Sequence, residues 1–330
     1  MAKKKILITG ATGFIGERLT QRLLQEGNEV RALCRSPKKA RTLLPQETCI
    51  IEGDLDKAEA LEKAMEGCEE VYHLAAYAKV WDKDPQAFYR VNVEGAERVA
   101  RAALTCGVRR VVFTSTAGVL GPSPDGKAVD ESQTPVVLST EYERTKAEAE
   151  RVMQRYVEQG LDVVIVNPTR VFGPGQLNES NAVTKLIALY RKGKFRFYPG
   201  SGHQSGNYVY VEDVVRGHLL AMEKGRKGER YILGGHNVSY RELFDKVAEV
   251  LGKRYAMIPL PLPLMMTVAR FEQWKADTWG RPPLITPPFV RKYHYDWRVS
   301  IEKAQKELGY EITPLETAIA ETLRWLEAAV

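Results

Sequence analysis

KKILITGATGFIGERLTQRLLQEG, Lys4 to Gly27, contains the turn that decides the fold. An apolar run reads as a strand, ends in Thr9-Gly10-Ala11-Thr12-Gly13-Phe14-Ile15-Gly16, and gives way to the amphipathic helical run ERLTQRLLQEG. The three glycines have separate tasks. Gly10 permits the tight bend, Gly13 lets backbone approach a pyrophosphate with no Cβ in the way, and Gly16 lets the helix pack closely on the strand. Unpaired amides and the dipole at a helix start favour negative charge, so Thr12, Phe14 and Ile15 join the glycines in a cradle for a dinucleotide.

Outward from this turn, EVRALCR (29–35), TCIIEG (48–53), EVYHLAA (70–76), VRRVVFTST (108–116) and LDVVIVNP (161–168) read as further strands, separated by amphipathic helices. Six apolar strands alternating with helices predict an α/β fold, a doubly wound parallel sheet of Rossmann type covered on both faces. After Pro168 glycine and proline become frequent, which predicts a smaller, mixed α/β C-terminal substrate domain. NYVYVEDVVRGHLLAME (207–223) again reads as strand then helix and is expected to return to the first unit. The expected boundaries are 1–172 plus about 207–235 for the dinucleotide domain, and about 173–206 plus 236–330 for the substrate domain.

The second strand should end beside the adenosine ribose, where an acidic residue would bind the 2′-hydroxyl of NAD. Instead the sequence has Arg35, Lys38, Lys39 and Arg41, which favours the 2′-phosphate of NADP(H) and leaves NAD(H) possible. A solvated helix start is the alternative for Lys38, Lys39 and Arg41, and less so for Arg35. Asp54 and Leu55, after strand three, would sit along the adenine edge, although Asp54 could equally cap a helix.

The 330 residues suggest about two domains able to bury real cores. There are 48 Lys and Arg against 42 Asp and Glu, a net +6 scattered through mixed-sign helices, so no nucleic-acid track is expected. No apolar run is long enough for a membrane helix and no signal-peptide pattern opens the chain, which predicts a cytoplasmic protein without membrane partners. Cys34, Cys49, Cys68 and Cys106 have neither disulfide-framework nor zinc spacing and are expected to be buried free thiols; no metal is expected.

Tyr142 and Lys146 stand four apart in a predicted helix, Glu141 to Gln159, and therefore emerge on one face. A Tyr near pKa 10 exchanges protons poorly at neutral pH, and lowering it by two or three units takes about 3 to 4 kcal/mol of phenolate stabilisation. The Lys146 ammonium is expected to supply much of that and to reach cofactor ribose hydroxyls. Phe113-Thr114-Ser115-Thr116 ends strand five at the carboxyl edge, where Thr116, with Ser115 second, could bind a carbonyl oxygen.

Taken in order, TGATGFIG, Asp54-Leu55, HLAA (73–76), FTSTAG (113–118), YERTK (142–146) and NPTRVFGPG (167–175) resemble the extended short-chain dehydrogenase/reductases. The resemblance spans the chain, including VYVEDVVRGHLLAM and the terminal KAQKELGYEITPLETAIAETLRWL. It implies Tyr142 and Lys146 as catalytic residues with Thr116 as the hydroxyl, and Arg35 as an NADP-selecting arginine. It also places Leu74, Ala75, Ala76, Asn92, Thr114 and Ser115 along the cofactor, and Asn167, Pro168, Thr169 and Val171 beside the nicotinamide. Nucleotide-sugar epimerases in this family carry an acidic residue after strand two, a second Tyr before the strand-five glycine and an Arg before the YVYV strand. This chain has Arg35, Leu120 and Gly206 instead, and looks closer to the dihydroflavonol 4-reductase and 3β-hydroxysteroid dehydrogenase branch.

The expected activity is an NADPH-dependent carbonyl reductase or hydroxy-dehydrogenase acting on a hydrophobic or aromatic small molecule. Tyr77, Lys79, Trp81, Thr116, Phe172, Tyr198 and Tyr208 are the candidate substrate walls, with core packing the plainer reading for each aromatic. An NAD-dependent nucleotide-sugar epimerase or dehydratase is the alternative, and a non-catalytic NADP(H) sensor a remote one. A homodimer through the helices Pro85–Cys106 and Tyr142–Gln159 is possible.

Overall fold

The computed structural model describes residues 3–134 and 137–328. The first unit runs β1 (Lys5–Thr9), α1 (Phe14–Gln25), β2 (Glu29–Cys34), α2 (Pro37–Leu43), β3 (Cys49–Glu52), α3 (Ala58–Met65) and β4 (Glu70–His73). It continues through α4 (Gln86–Tyr89), a π-bulge over Arg90–Glu94, α5 (Gly95–Thr105), β5 (Arg110–Thr114), α6 (Glu141–Glu158) and β6 (Val163–Pro168). There follow β7 (Arg170–Phe172), α7 (Ala182–Arg191), β8 (Phe197–Pro199), β9 (Ser205–Tyr210), α8 (Val211–Lys224), β10 (Arg230–Leu233), β11 (His236–Ser239) and α9 (Tyr240–Leu251). The chain ends with β12 (Ile258–Leu260), α10 (Leu262–Trp279), α11 (Pro287–Lys292), α12 (Glu302–Leu308) and α13 (Leu315–Ala328).

Seven parallel strands form the central sheet in the order β3-β2-β1-β4-β5-β6-β10. Successive residues along a strand point to opposite faces, and both faces are dry. Ile6 and Ile8 of β1 pack with Leu19 and Leu23 of α1 and with Val214 and Val215 of α8. Leu7 packs on the other side with Leu61 of α3, Val99 of α5 and Val152 of α6. Because all seven strands run the same way, their carboxyl ends share one edge. That edge gathers the glycine turn after β1, Arg35 after β2, Asp54 after β3, Leu74 to Ala76 after β4, Ser115 and Thr116 after β5, and Thr169 after β6.

The structure departs from the sequence reading in several places. The seventh strand is β10, Arg230–Leu233, which pairs with β6. The YVYV strand, β9, stays outside the central sheet and pairs in parallel with β7 and antiparallel with β11; only α8 packs back against β5 and β6. Leu264, Phe271 and Trp274 of α10 are each more than half exposed. Cys34 and Cys68 are buried, and burial pushes both thiols up to about 11. Cys49 is exposed and Cys106 partly so, contrary to the expectation of four buried thiols. Among the described residues no helix is long and apolar enough to cross a membrane.

Candidate active site

The glycine turn is shaped by close backbone approaches. Gly10 takes φ +77°, and a Cβ there would meet the Ala75 amide nitrogen at 2.6 Å, so the turn lies directly against the segment after β4. A Cβ on Gly16 would lie 2.2 Å from the Gly10 carbonyl oxygen and 2.9 Å from Ala11 Cα, which is the close helix–strand approach expected of this position. Gly13 donates its N–H to the Gly10 carbonyl at 2.9 Å, and no side chain caps the first amides of α1. The loop after β7 folds over this helix start. Gln176 donates to the Thr12 carbonyl at 3.1 Å and to Glu17 at 2.8 Å, and Arg18 donates to the Pro174 carbonyl at 2.8 Å.

At the end of β2, Arg35, Lys38 and Lys39 make no ion pair among the described residues, and Arg35 and Lys39 are exposed. Ser36 caps α2 through the Lys39 amide. Arg41 differs, because it donates to the Gln46 and Thr48 carbonyls, both at 3.1 Å, and so clips the turn into β3. Asp54 accepts from the Leu55 amide at 2.7 Å, and Leu55 is buried against Gly95. Leu74 N–H donates to the Thr9 carbonyl at 3.0 Å, fixing the path of Leu74 to Ala76.

The capping box of Thr140 and Glu143 starts α6 and sets the rotation that brings Tyr142 and Lys146 to the cleft side. Lys146 is 1% exposed; its Nζ lies 4.1 Å from the Phe113 ring centroid and has no hydrogen-bond partner among the described residues. Burial lowers its pKa to about 7, with Glu150 pulling the other way. Burial raises Tyr142 to about 12, and the Glu143 charge adds to this. The sequence reading expected Lys146 to depress the tyrosine; in the protein itself desolvation prevails, so the phenol is held neutral. Thr116 reaches the cleft and accepts from the Gly118 amide at 3.2 Å, whereas Ser115 is buried with its hydroxyl unpartnered.

A cleft of about 640 Å³ is lined by Thr116, Tyr142, Thr169, Lys79, Trp81, Arg170, Lys292 and Trp297, among others. Trp81 Nε1 donates to Asp277 of α10 at 3.3 Å, linking the two units across this cleft. Tyr77 pairs with Asp82, which also takes Lys79 at 3.0 Å. A larger depression of about 910 Å³ lies along α6 between Glu131, Arg151 and Lys303, and contains none of the sequence-predicted site residues.

Several expected contacts are corrected. Phe172 is 1% exposed and packs on Tyr210 in the core, and Tyr208 lies beneath Arg170, so neither is a cleft wall. Tyr198 is buried and receives a hydrogen bond from Arg241 at 2.6 Å. The Asn92 side chain is engaged within the protein. From inside the π-bulge its amide takes the Tyr77 N–H at 2.7 Å and donates to the Tyr77 carbonyl at 3.3 Å and the Thr145 hydroxyl at 3.0 Å. Thr114 is engaged by His218 at 2.9 Å, Asn167 by the Thr116 carbonyl at 3.1 Å and Glu150 at 2.7 Å, and Pro168 and Val171 are buried. Sequence reasoning passed over Arg170, Glu143 and Lys292. Arg170 left one signal, a cation inside a short, otherwise apolar strand; the ion pair of Lys292 with Glu143 left none, because 149 residues separate them.

Two observations fit a nicotinamide dinucleotide. No side chain caps the start of α1, and the Lys146 amine, without a protein hydrogen-bond partner among the described residues, can take ribose hydroxyls.

Comparison with known proteins agrees with this geometry. Residues 6–234 match the model of the NAD dependent epimerase/dehydratase family. Sterol demethylase protein B of Methylococcus capsulatus is 34% identical over 97% of both chains. A 3-beta-hydroxysteroid dehydrogenase of Mycolicibacterium neoaurum is 28% identical over 97% of this chain and 90% of that protein. Among solved structures, the UDP-glucose 4-epimerase of Thermus thermophilus in complex with NAD superposes with a TM-score of 0.80 at 26% identity, over 99% of this chain and 100% of that one. The chain is thus an oxidoreductase of the NAD dependent epimerase/dehydratase family, within the extended short-chain dehydrogenases/reductases.

Proposed function

We propose that the protein is an NADP(H)-dependent carbonyl reductase, or hydroxy-dehydrogenase in the reverse sense, acting on a largely apolar small molecule. The observation that carries the reading is geometric: Thr116 and Tyr142 line one cleft, with Lys146 one turn after Tyr142 on α6, and burial keeps the phenol in its ordinary neutral form. A neutral phenol is the acid form, as required to protonate an oxygen during reduction; alcohol oxidation would first require its ionisation. When bound, the nicotinamide supplies the hydride to the carbonyl carbon. Thr116 hydrogen-bonds the carbonyl oxygen, Tyr142 transfers its proton to that oxygen, and Lys146 binds the ribose hydroxyls and stabilises the resulting phenolate. Trp81, Phe289 and Trp297 give the cleft its apolar surface, in keeping with relatives named for sterol and steroid chemistry.

Cofactor choice rests on the free cations after β2. NADPH is expected to bind at least tenfold more tightly than NADH, about 1.4 kcal/mol, and Arg35→Ala to remove most of the difference. Parallel titrations of nucleotide-stripped protein check this. Equal or tighter NADH binding would overturn the NADPH reading and favour an epimerase with tightly held NAD.

The Lys146 amine predicts a pH dependence. Its pKa in the free protein is about 7, and ribose hydroxyls together with a polyanion would stabilise the charged form. NADPH binding should therefore take up a proton at pH values above about 7, and affinity should fall as pH rises from 7 to 9 by up to tenfold per unit. Lys146→Met should bind more weakly and lose this slope. Dissociation constants measured from pH 6 to 9 decide it; an unchanged slope in the variant would assign the titration elsewhere.

A further inference from the structure

Arg170 lies between aromatic faces. Its guanidinium carbon is 5.5 Å from the Tyr208 ring centroid and 5.9 Å from that of Tyr240, and Tyr240 meets Tyr293 edge-on at 5.9 Å. A guanidinium beside these rings carries five N–H donors in its plane. One donates to the Tyr208 hydroxyl at 3.1 Å. Among the described residues no other protein acceptor takes the remaining donors, and no carboxylate pairs with the group.

The other charges of the cleft balance, five cations against five carboxylates, with Glu179 and Asp277 among the latter, so Arg170 is its uncompensated cation. Lys292 lines the same cleft, and the buried carboxylate there, Glu143, is already committed to Lys292 and to the Ser139 and Thr140 amides at 2.9 and 3.1 Å. Asp82 and Glu141, also on the cleft, pair with Lys79 and Arg144. The room for Arg170 is itself built in: a Cβ at Gly206 would lie 2.2 Å from its Nη1 and 2.8 Å from its Cζ. A small residue on β9 thus admits a large cation from β7, and that cation lines the cleft shared by Thr116 and Tyr142.

We propose that Arg170 anchors an oxyanion, a carboxylate or a phosphate, carried by the same substrate whose carbonyl meets Thr116 and Tyr142. The fork of in-plane donors matches two oxygens of either group, and low-polarity walls strengthen the pairing. The substrate class becomes an apolar carbonyl compound with one anionic group. This rests on the carbonyl-reductase reading, and the test separates the two.

Benzaldehyde, 4-carboxybenzaldehyde and 4-formylphenyl phosphate are compared by NADPH oxidation in the wild type, Arg170→Met and Gly206→Ala. At least one anionic aldehyde is expected to exceed benzaldehyde at least tenfold in kcat/KM, and which one identifies carboxylate or phosphate. Both substitutions should bring that ratio near one, Gly206→Ala by displacing the guanidinium while keeping its charge. A wild-type ratio near one, or a ratio that survives Arg170→Met, overturns the anchor. If no aldehyde is reduced, calorimetric titration with terephthalate and phenyl phosphate decides. Saturable binding lost in Arg170→Met keeps the anchor and removes the reductase reading, whereas no binding, or binding that Arg170→Met leaves intact, removes the anchor.

Discussion

Tyr142→Phe is expected to lower kcat for carbonyl reduction by about 10²- to 10⁴-fold while leaving the NADPH dissociation constant within about twofold. The substitution removes one oxygen and keeps the ring, so the wall of the cleft and the capping box of α6 persist. Only the proton donor is lost. Because burial holds the phenol at about 12, its acid form persists through pH 6 to 9, and the wild-type reduction rate should show no alkaline loss from Tyr142 in that range. An alkaline fall between pH 7 and 9 would instead belong to Lys146 at about 7, and should disappear when NADPH is saturating if it reflects binding alone. Steady-state rates and nucleotide titrations on the same preparations check both points. Turnover within threefold of wild type would sink the acid assignment, whatever the cofactor affinity.

Gly16→Ala is expected to destabilise the protein by about 2 to 4 kcal/mol and to abolish measurable dinucleotide binding. The added methyl would stand 2.2 Å from the Gly10 carbonyl oxygen and 2.9 Å from Ala11 Cα, both backbone atoms with no rotamer to escape into. Relief requires α1 to move off β1, which opens the packing of Leu19 and Leu23 against Ile6 and Ile8 and displaces the amides that cradle the phosphates. Urea unfolding followed by circular dichroism gives the stability change, and NADPH titration of the folded fraction gives the affinity. Wild-type stability would mean that the turn relaxes locally and that Gly16 is replaceable. Gly27, at φ +83° with open space around its Cβ position, offers a comparison in which strain comes from backbone conformation alone.

Much of the fold was legible because it is encoded by near neighbours in the chain. Six strand segments, the glycine turn, the start of α6 and the four-residue spacing of Tyr142 and Lys146 follow from apolar runs, helical periodicity and capping chemistry. Even the choice of Thr116 over Ser115 came from position at the end of β5, and the structure gives Thr116 the cleft and buries Ser115. The short strand β10 was read within the first unit but not as a strand, since RYIL has too few residues for a pattern to emerge.

The site was legible only in part. Phe172 and Tyr208 are covered by Tyr210 and Arg170, contacts that arise from the pairing of β7 with β9 and that no local pattern shows. The engagement of the Asn92 amide by Tyr77 and Thr145 was equally hidden, since 15 and 53 residues separate the partners. The charge of the cleft was likewise hidden, because it depends on Lys292 meeting Glu143 across 149 residues and on Arg170 filling the space above Gly206. The sequence by itself determined the parallel sheet, the phosphate-binding turn and the acid–base pair, because each is set by interactions within one or two turns or strands. Only the tertiary structure decided which side chains face the substrate and which charges are left unpaired. Those properties arise where distant segments exclude water together, and no local pattern records them.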